Sequence, residues 1–551
     1  MPDLLLGPLL RYAGETEATV WVETAAACEV EVRLDGANHR SRTFRIEGHH
    51  YGLVHVAGLE RGGAYSYEVL LDGEKKWPEE GSEFPASVIH TLARRGPLRL
   101  IFGSCRISAP HEPPYTVSNE ENELGVGTDA LYAMAMRLRE GPSKNLPHAL
   151  LLLGDQVYAD QPPLDTLDFI RSRRDIGKPP GEAAANFEEY SRLYRDSWKD
   201  PAIRWLLSTV PSAMIFDDHE LTDDWNISEA WVEEMRTHPS WDERIFGALA
   251  SYWVYQHLGN LSPRELAEDE LFEKVKQADD AGPLLREFVY RTHREPMLTR
   301  WSFCRNFGNV RLVVVDSRGG RVLRRDRRSM VDADEWRWVA EHATGGFDHL
   351  LLATSVPVLP GPGMHHLQVW DEAVSSGAWG ERGAEWGERL RRSQDFEHWG
   401  SFHDSFVEFT ELIRSIAAGE KGQPPASVVI LSGDVHYGYL AEVTFDNQGV
   451  RSPIYQATCS PLRNAVPAMK GRLERTGWTR FGEVVGRCLA RLIGSGEEGI
   501  SWRLTHGEPW LENQVATLEL EGRRAMLRFE KAIVDGSGEP DLRRIYGRTL
   551  A

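Results

Sequence analysis

Six nearly continuous apolar runs constrain this chain most: LRLIF at 98–102, ALLLL at 149–153, SAMIF at 212–216, VRLVVV at 310–315, HLLLAT at 349–354 and SVVIL at 427–431. They lack the polar/apolar alternation of a half-exposed strand, so the pattern predicts strands buried on both faces. Helices must then cover the sheet. Stretches 128–140 (TDALYAMAMRLRE, with Thr128 or Asp129 as cap and Gly141 as stop), 182–208, 241–258 and 265–295 read as helical. The expected fold class is a layered α/β or α+β domain.

The first 95 residues differ in kind. TVWVET (19–24), EVEVRL (29–34), LVHVAGL (53–59) and YSYEVLL (65–71) alternate and are separated by Gly, Asn and Asp turn signals, which predicts a small antiparallel sandwich. Leu59…Gly62…Tyr65 resembles the tyrosine corner of fibronectin type III domains; an ordinary β-meander is the alternative. Residues 93–97 read as a linker. The expected domains are therefore 1–95, a fibronectin/Ig-like sandwich, and 96–551. The second would include a tail from about 465 with a helix near 479–493 and strands near 500–506, 514–520 and 525–531.

The chain has 551 residues, 63 Lys+Arg and 83 Asp+Glu, for a net charge of −20. That balance argues against nonspecific binding to DNA or anionic membranes, while a local cation can still invert the field within one pocket. The five cysteines are scattered without paired spacing, so no disulfide framework is expected. MPDLLLGPLLRY has no basic leader or twin Arg, and no stretch reaches about 18 uninterrupted apolar residues. The N-terminus reads as cytoplasmic, with no membrane span.

The chemistry collects where the apolar runs end. GSCR (103–106) follows the first, GDQVYAD (154–160) the second and DDHE (217–220) the third, with Asp223 and Asp224 close behind. Asp316-Ser-Arg318 follows the fourth run and SGDVHYG (432–438) the last. In open α/β sheets ligands bind at the carboxyl ends of strands. Each cluster alone has a plain structural reading: Gly-Asp as a turn, Asp217–Asp218 as a helix cap, Cys105 as a small buried hydrophobe, Tyr158 as core and Asp316–Arg318 as an ion pair. Their joint placement favours a metal site.

Asp434 and His436, two residues apart, point the same way if the backbone is extended and can then contact adjacent ions. Asp155 and Tyr158 come onto one side through a single turn. One carboxylate can bridge two cations about 3.5–4 Å apart. Hard oxygen donors with one thiolate and one phenolate favour ferric iron beside a hard divalent ion over a Cys-rich zinc site.

At these motifs the chain resembles the calcineurin-like metallophosphoesterase superfamily, more closely its PhoD-like (alkaline phosphatase D) family. The resemblance covers nearly everything up to about 465 and implies a metallophosphoesterase-type sheet sandwich flanked by helices. It implies Fe3+ held by Cys105, Asp155, Tyr158 and His436. Asp155 would bridge to a second metal, often Ca2+, with Mg2+, Mn2+ or Zn2+ as alternatives. Asp434 and one or more of Asp218, Asp223 and Asp224 would hold that ion, and a third divalent ion would sit nearby. Asp218 stands where superfamily relatives have Asn, and Asp223–Asp224 where PhoD-like chains often have Asn-Asn. Ser355-Val-Pro357 replaces the usual His-x-Pro, so that histidine is absent.

The implied reaction is hydrolysis of a phosphate mono- or diester, small or polymeric, by in-line attack of a metal-activated hydroxide. His219 is the candidate for protonating the leaving oxygen, and Arg106 and Arg318 for clamping phosphate, with structural ion pairs as their alternative. A phosphodiesterase or phospholipase D-like activity on lipid or polymer phosphodiesters is the related alternative, and a non-catalytic metal or phosphate-ester binder the distant one. The Trp- and His-rich segment 360–405 is expected to form a lid or substrate rim made of loop, with His365 and His366 on the surface.

Overall fold

The structure is a computed structural model that describes residues 2–34, 36–141, 145–325, 327–446, 449–464, 475–494 and 499–551. Two antiparallel sheets form the N-terminal part. Leu4–Ala13, Glu17–Thr24, His49–Ala57 and Phe44–Ile46 make one, and Ala37–Arg42, Glu29–Leu34, Ala64–Leu71 and Glu74–Trp77 make the other, with Val88–His90 paired to Ala64–Leu71. The alternation of EVEVRL works as expected, because Val30 and Val32 enter the core with Val20, Val22, Val54 and Val69.

This module is seated firmly on the rest of the chain. The guanidinium of Arg11 is fully buried and donates to the carbonyls of Gln256 (2.9 Å), Tyr255 and Ser212. Trp21 and Tyr51 pack their rings on Tyr255 at 5.2 and 5.5 Å.

Beyond residue 97 two larger sheets face one another. The first aligns Ser212–Ile215, Ala149–Leu153 and Leu98–Gly103 in parallel, then continues antiparallel through Gln514–Glu521, Arg524–Val534 and Pro540–Thr549. The second orders Phe303–Phe307, Val310–Val315, His349–Thr354, Ser427–Ser432, Ile454–Thr458, Tyr439–Phe445 and Ile500–Leu504. The middle four of Val310–Val315 through Ile454–Thr458 are parallel.

The continuous apolar runs now have a physical reason. Val429 and Leu431 point into the core shared with Leu151 and Leu518 of the facing sheet. Val428 and Ile430 point the other way, onto Phe406, Phe409 and Ile413 of the helix His403–Ala418. Both faces of the strand are dry, so neither can be polar.

Several expected elements are more finely divided. Stretch 182–208 becomes Phe187–Trp198 and Pro201–Thr209, split where Asp200 caps the second helix and Pro201 starts it. Stretch 265–295 becomes Pro263–Glu268, Glu270–Gln277 and Gly282–Arg294. The segment 360–405 is largely helical (Pro362–Ser375 and Gly380–Ser393) rather than loop. The strand Pro540–Thr549 was not expected from the pattern, and the start expected for the tail, about residue 465, lies outside the described residues. All five cysteines are free. Among the described residues no helix is long and apolar enough to cross a membrane.

Candidate metal centre

The carboxyl ends of the parallel strands from both sheets meet at one place. After Leu98–Gly103 the chain is held to the neighbouring strand ends by Cys105 N–H to Gly154 O (3.1 Å) and Arg106 N–H to Asp155 O (3.1 Å). The two sheets are joined there by Asp434 N–H donating to Ser104 Oγ (3.0 Å). Glu220 sits behind them and accepts from the backbone N–H of Asp155 (3.0 Å), Gln156 (2.8 Å) and Asp217 (2.9 Å). One buried carboxylate therefore sets the backbone of two ligand-bearing turns.

Backbone strain concentrates here. Among non-glycine residues with left-handed φ are Cys105 (55°), Asp155 (54°), Asp224 (62°), Asp434 (67°) and His436 (55°). L-residues rarely adopt this region, and such conformations cluster where surrounding structure fixes side chains for function. This corrects the expectation of extended backbone at Asp434 and His436. Asp434 is instead the centre of a three-residue turn closed by Val435 N–H to Gly433 O at 2.9 Å.

Three sets of donor atoms come within 4.8 Å of one another: Cys105, Asp155 and His436; Asp155, Asp218 and His219; and Asp217, Asp218 and Asp434. Asp155 belongs to two sets and Asp218 to two. Asp155 Oδ2 lies 3.3 Å from both Cys105 Sγ and Tyr158 Oη, and Asn464 Nδ2 donates to that phenol oxygen at 3.0 Å. Asp155 Oδ1 is buried without any partner, as are Asp217 Oδ2 and Asp224 Oδ1. Buried carboxylate oxygens without donors are costly unless a cation satisfies them.

The electrostatics state the same need. Burial, reinforced by the negative charges of Asp218 and Asp217, pushes the Asp155 carboxyl well above its ordinary range. Burial with Glu397 and Asp218 does the same to Asp434. Burial with Glu397 and Asp395 lifts Asp224 to about 8. Burial raises the Cys105 thiol and Tyr158 phenol, so both need a cation to ionise at neutral pH. Asp218 is the exception: despite burial, Arg318 and His219 hold it at about 2. Thiol, phenol, imidazole and carboxylates around orphaned oxygens are a donor set that fits bound cations.

The structure brings Cys105, Asp155, Tyr158 and His436 to one end of the cluster and Asp218 and Asp434 to the other. Asp224 is tied to this end by its backbone N–H to Asp218 Oδ2 (2.9 Å), whereas Asp223 lies on the rim with a side chain 67% exposed. His219 stacks against Tyr158 at 4.6 Å, and its Nδ1 is held by both oxygens of Asp160 at 2.9 Å. Asp218, Asp155 and Asp160 raise its pKa against the effect of burial.

The expected phosphate clamps are corrected. Arg106 donates to Asp129 (2.8 Å) and to the carbonyl of Ser197 (2.8 Å), which is a structural ion pair. Arg318 is fully buried beneath the carboxylates, bound to Asp217 and Glu397, 3.5 Å from Asp218 and 3.7 Å from Asp434. It compensates charge from below. His365 is corrected too: it is buried against Phe406 and Trp502.

The cavity over the cluster is lined by Asp155, Asp218, His219 and Asp434 on one side and by Met364, Gln368, Glu397 and His398 of the 360–405 segment on the other. Gln368, Glu397 and His398 were not picked out from sequence, nor were Asp160, Glu220 and Asn464. Asp160 lay inside a motif already singled out, and the density of Trp and His was the only sign for His398.

Residues 130–286 match the family model of PhoD-like phosphatases, and residues 1–89 that of a domain of unknown function (DUF7800). A solved structure described as that of PhoD is similar with TM-score 0.58 and 12% identity, over 99% of this chain and 92% of that one; the likeness is one of fold. A purple acid phosphatase isolated from yellow lupin (Lupinus luteus) seeds is similar with TM-score 0.49 and 8% identity, over 100% of this chain and 74% of that one. No curated protein matches the sequence.

Proposed function

We propose that this chain, whose residues 130–286 match the family model of PhoD-like phosphatases, is a metal-dependent phosphoric ester hydrolase that cleaves phosphate mono- or diesters at a dinuclear centre that shares Asp155. The observation that carries this reading is Asp155 itself: it belongs to two of the three donor sets, and one of its oxygens is buried with no partner. Cys105, Asp155, Tyr158 and His436 would hold ferric iron. Asp155, Asp218, Asp434 and Asp224 would hold a divalent ion such as Ca2+. Bound cations would supply Lewis-acid neutralisation of the phosphate and acidify a water.

The chain's own residues do the rest. Asp160 fixes the ring of His219, and the carboxylates around it favour its protonated form, so His219 can give a proton to the departing oxygen. Arg318 keeps Asp218 ionised and limits mutual repulsion of the acids before cations bind. We read the N-terminal sheets as a fibronectin-type sandwich forming a separate unit, 1–95. The backbone N–H of Glu60 donates to Tyr65 Oη at 2.7 Å, which is the hydrogen bond a tyrosine corner makes.

The test is hydrolysis of p-nitrophenyl phosphate and bis-p-nitrophenyl phosphate by wild type and Asp155→Ala, with elemental analysis of both. The variant should lose activity on each ester together with bound metal. Full activity in Asp155→Ala would refute the shared centre.

A further inference from the structure

One polar group in the cavity has no role in the reading above. His398 follows the helix Gly380–Ser393 and turns its ring into the cavity, with its side chain only 13% exposed. Its Nδ1 lies 2.8 Å from the amide Nε2 of Gln368, a fully buried residue of the helix Pro362–Ser375. An amide nitrogen can only donate, so Nδ1 accepts, and the neutral ring then carries its hydrogen on Nε2. That Nε2 has no hydrogen-bond partner and is shielded from solvent. Asp434 Oδ2, at 3.9 Å, is too distant to accept from it.

A buried N–H aimed at nothing costs free energy unless something arrives to accept it. What arrives must fit the space, and an anion can enter only with the cations of the reading above, because Asp155, Asp218, Asp223, Asp395, Glu397 and Asp434 line the same cavity. The cavity holds about 130 Å³, room for one phosphoryl group, since a water takes about 30 Å³ of liquid volume.

We propose that His398 is a substrate-binding residue whose Nε2–H donates to a phosphoryl oxygen of the bound ester, in the tautomer that Gln368 sets. The 360–405 segment thereby closes over the substrate and contacts the phosphoryl group directly. This inference rests on the phosphoesterase reading of the same cavity.

The test compares wild type with His398→Ala, His398→Gln and Gln368→Glu. For each, kcat and KM on p-nitrophenyl phosphate, the inhibition constant of inorganic phosphate, bound metal and Tm are measured. A hydrogen bond to a charged acceptor predicts that His398→Ala weakens phosphate binding and lowers kcat/KM by about 10- to 100-fold with metal content unchanged. His398→Gln, which keeps an N–H donor, should recover most of the loss. Gln368→Glu sets an acceptor opposite Nδ1, so the neutral ring carries its one hydrogen on Nδ1 and leaves Nε2 bare, and the variant should reproduce the loss. Unchanged phosphate inhibition in His398→Ala or Gln368→Glu overturns the proposal, and so does loss of metal in His398→Ala, which would make the residue a ligand. The two near-isosteric variants decide the matter should His398→Ala fail to fold. A wild type that neither hydrolyses phosphate esters nor binds phosphate would instead overturn the underlying phosphoesterase reading.

Discussion

Asp160 holds Nδ1 of His219 with both carboxylate oxygens at 2.9 Å, across 59 residues of chain. The contact orients the ring and leaves Nε2 as its other functional atom. His219→Ala should therefore cost about 10²–10⁴-fold in kcat on alkyl phosphates, whose leaving oxygen needs a proton. p-Nitrophenyl esters, which leave as a stable anion, should suffer far less. Asp160→Asn should lower kcat on alkyl esters while leaving KM near wild type. Equal losses on both ester classes would remove the proton-donor role.

Tyr158 and Cys105 place a phenol and a thiol beside the same Asp155 oxygen. If ferric iron binds there, purified protein should absorb in the visible, and Tyr158→Phe should abolish or strongly shift that band while the fold persists by circular dichroism. Protein free of iron and colour after purification under oxidising conditions would exclude iron from the centre. Chelation should lower Tm, since it returns several buried acids to mutual repulsion.

Arg318 is fully buried among Asp217, Asp218, Glu397 and Asp434. Removing one partner of a buried ion network costs about 3–5 kcal/mol, because the remaining charges are left uncompensated. Arg318→Met should thus lower Tm sharply in metal-free protein. Added divalent ions should restore part of the loss by supplying positive charge. A Tm within 1–2 °C of wild type, about the scatter expected of a surface change, would contradict this role.

Glu335 lies away from the candidate ligands, its Oε1 accepting from Ser302 N–H at 3.1 Å and its Oε2 unpartnered. Burial and the neighbouring Asp316 carboxylate push it up to about 8. A folded-state value above the unfolded one, about 4.3, contributes stability that is complete below that lower value. The contribution is lost as pH rises through about 8. Wild-type Tm should fall between about pH 5 and 8 and level off above, and Glu335→Gln, which stays neutral, should flatten that decline.

Gly433 has no room for a side chain: a Cβ there would collide with Ser104 Oγ and the carbonyl of Leu153. Ser104 Oγ is the acceptor that ties Asp434 to the facing sheet. Gly433→Ala should destabilise the fold by about 1–3 kcal/mol through overpacking. It should also weaken metal binding, measured by elemental analysis and thermal unfolding.

The positions of Cys105, Asp155, Asp218, Asp434 and His436 in one cluster followed from local pattern. Each comes directly after a run such as ALLLL or SVVIL, and runs dry on both faces have few folds open to them. Val428 to Leu431 had to lie between a helix layer and a facing sheet, so whatever came next had to emerge at the sheet's carboxyl edge. Tyr158 was legible for the same reason, one turn beyond Asp155.

Other features were decided only by the assembled tertiary structure. Arg106 and Arg318 are alike in sequence, each just past a strand end. Only the packing sends one guanidinium to Asp129 and the other beneath the acids. The left-handed backbone at Asp434 is held by its N–H bond to Ser104 across the two sheets, which no local propensity encodes. Gln368 reaches the cavity from a helix inserted between strands, and Glu397 and His398 from the irregular stretch after the next helix; local pattern says which residues are buried but not what they meet. The acids, thiol and imidazole that follow the strand ends were therefore gathered by the sequence itself. Partners brought from distant segments, and the counter-charges that make so acidic a cluster tolerable, depend on long-range packing and exist only in the folded chain.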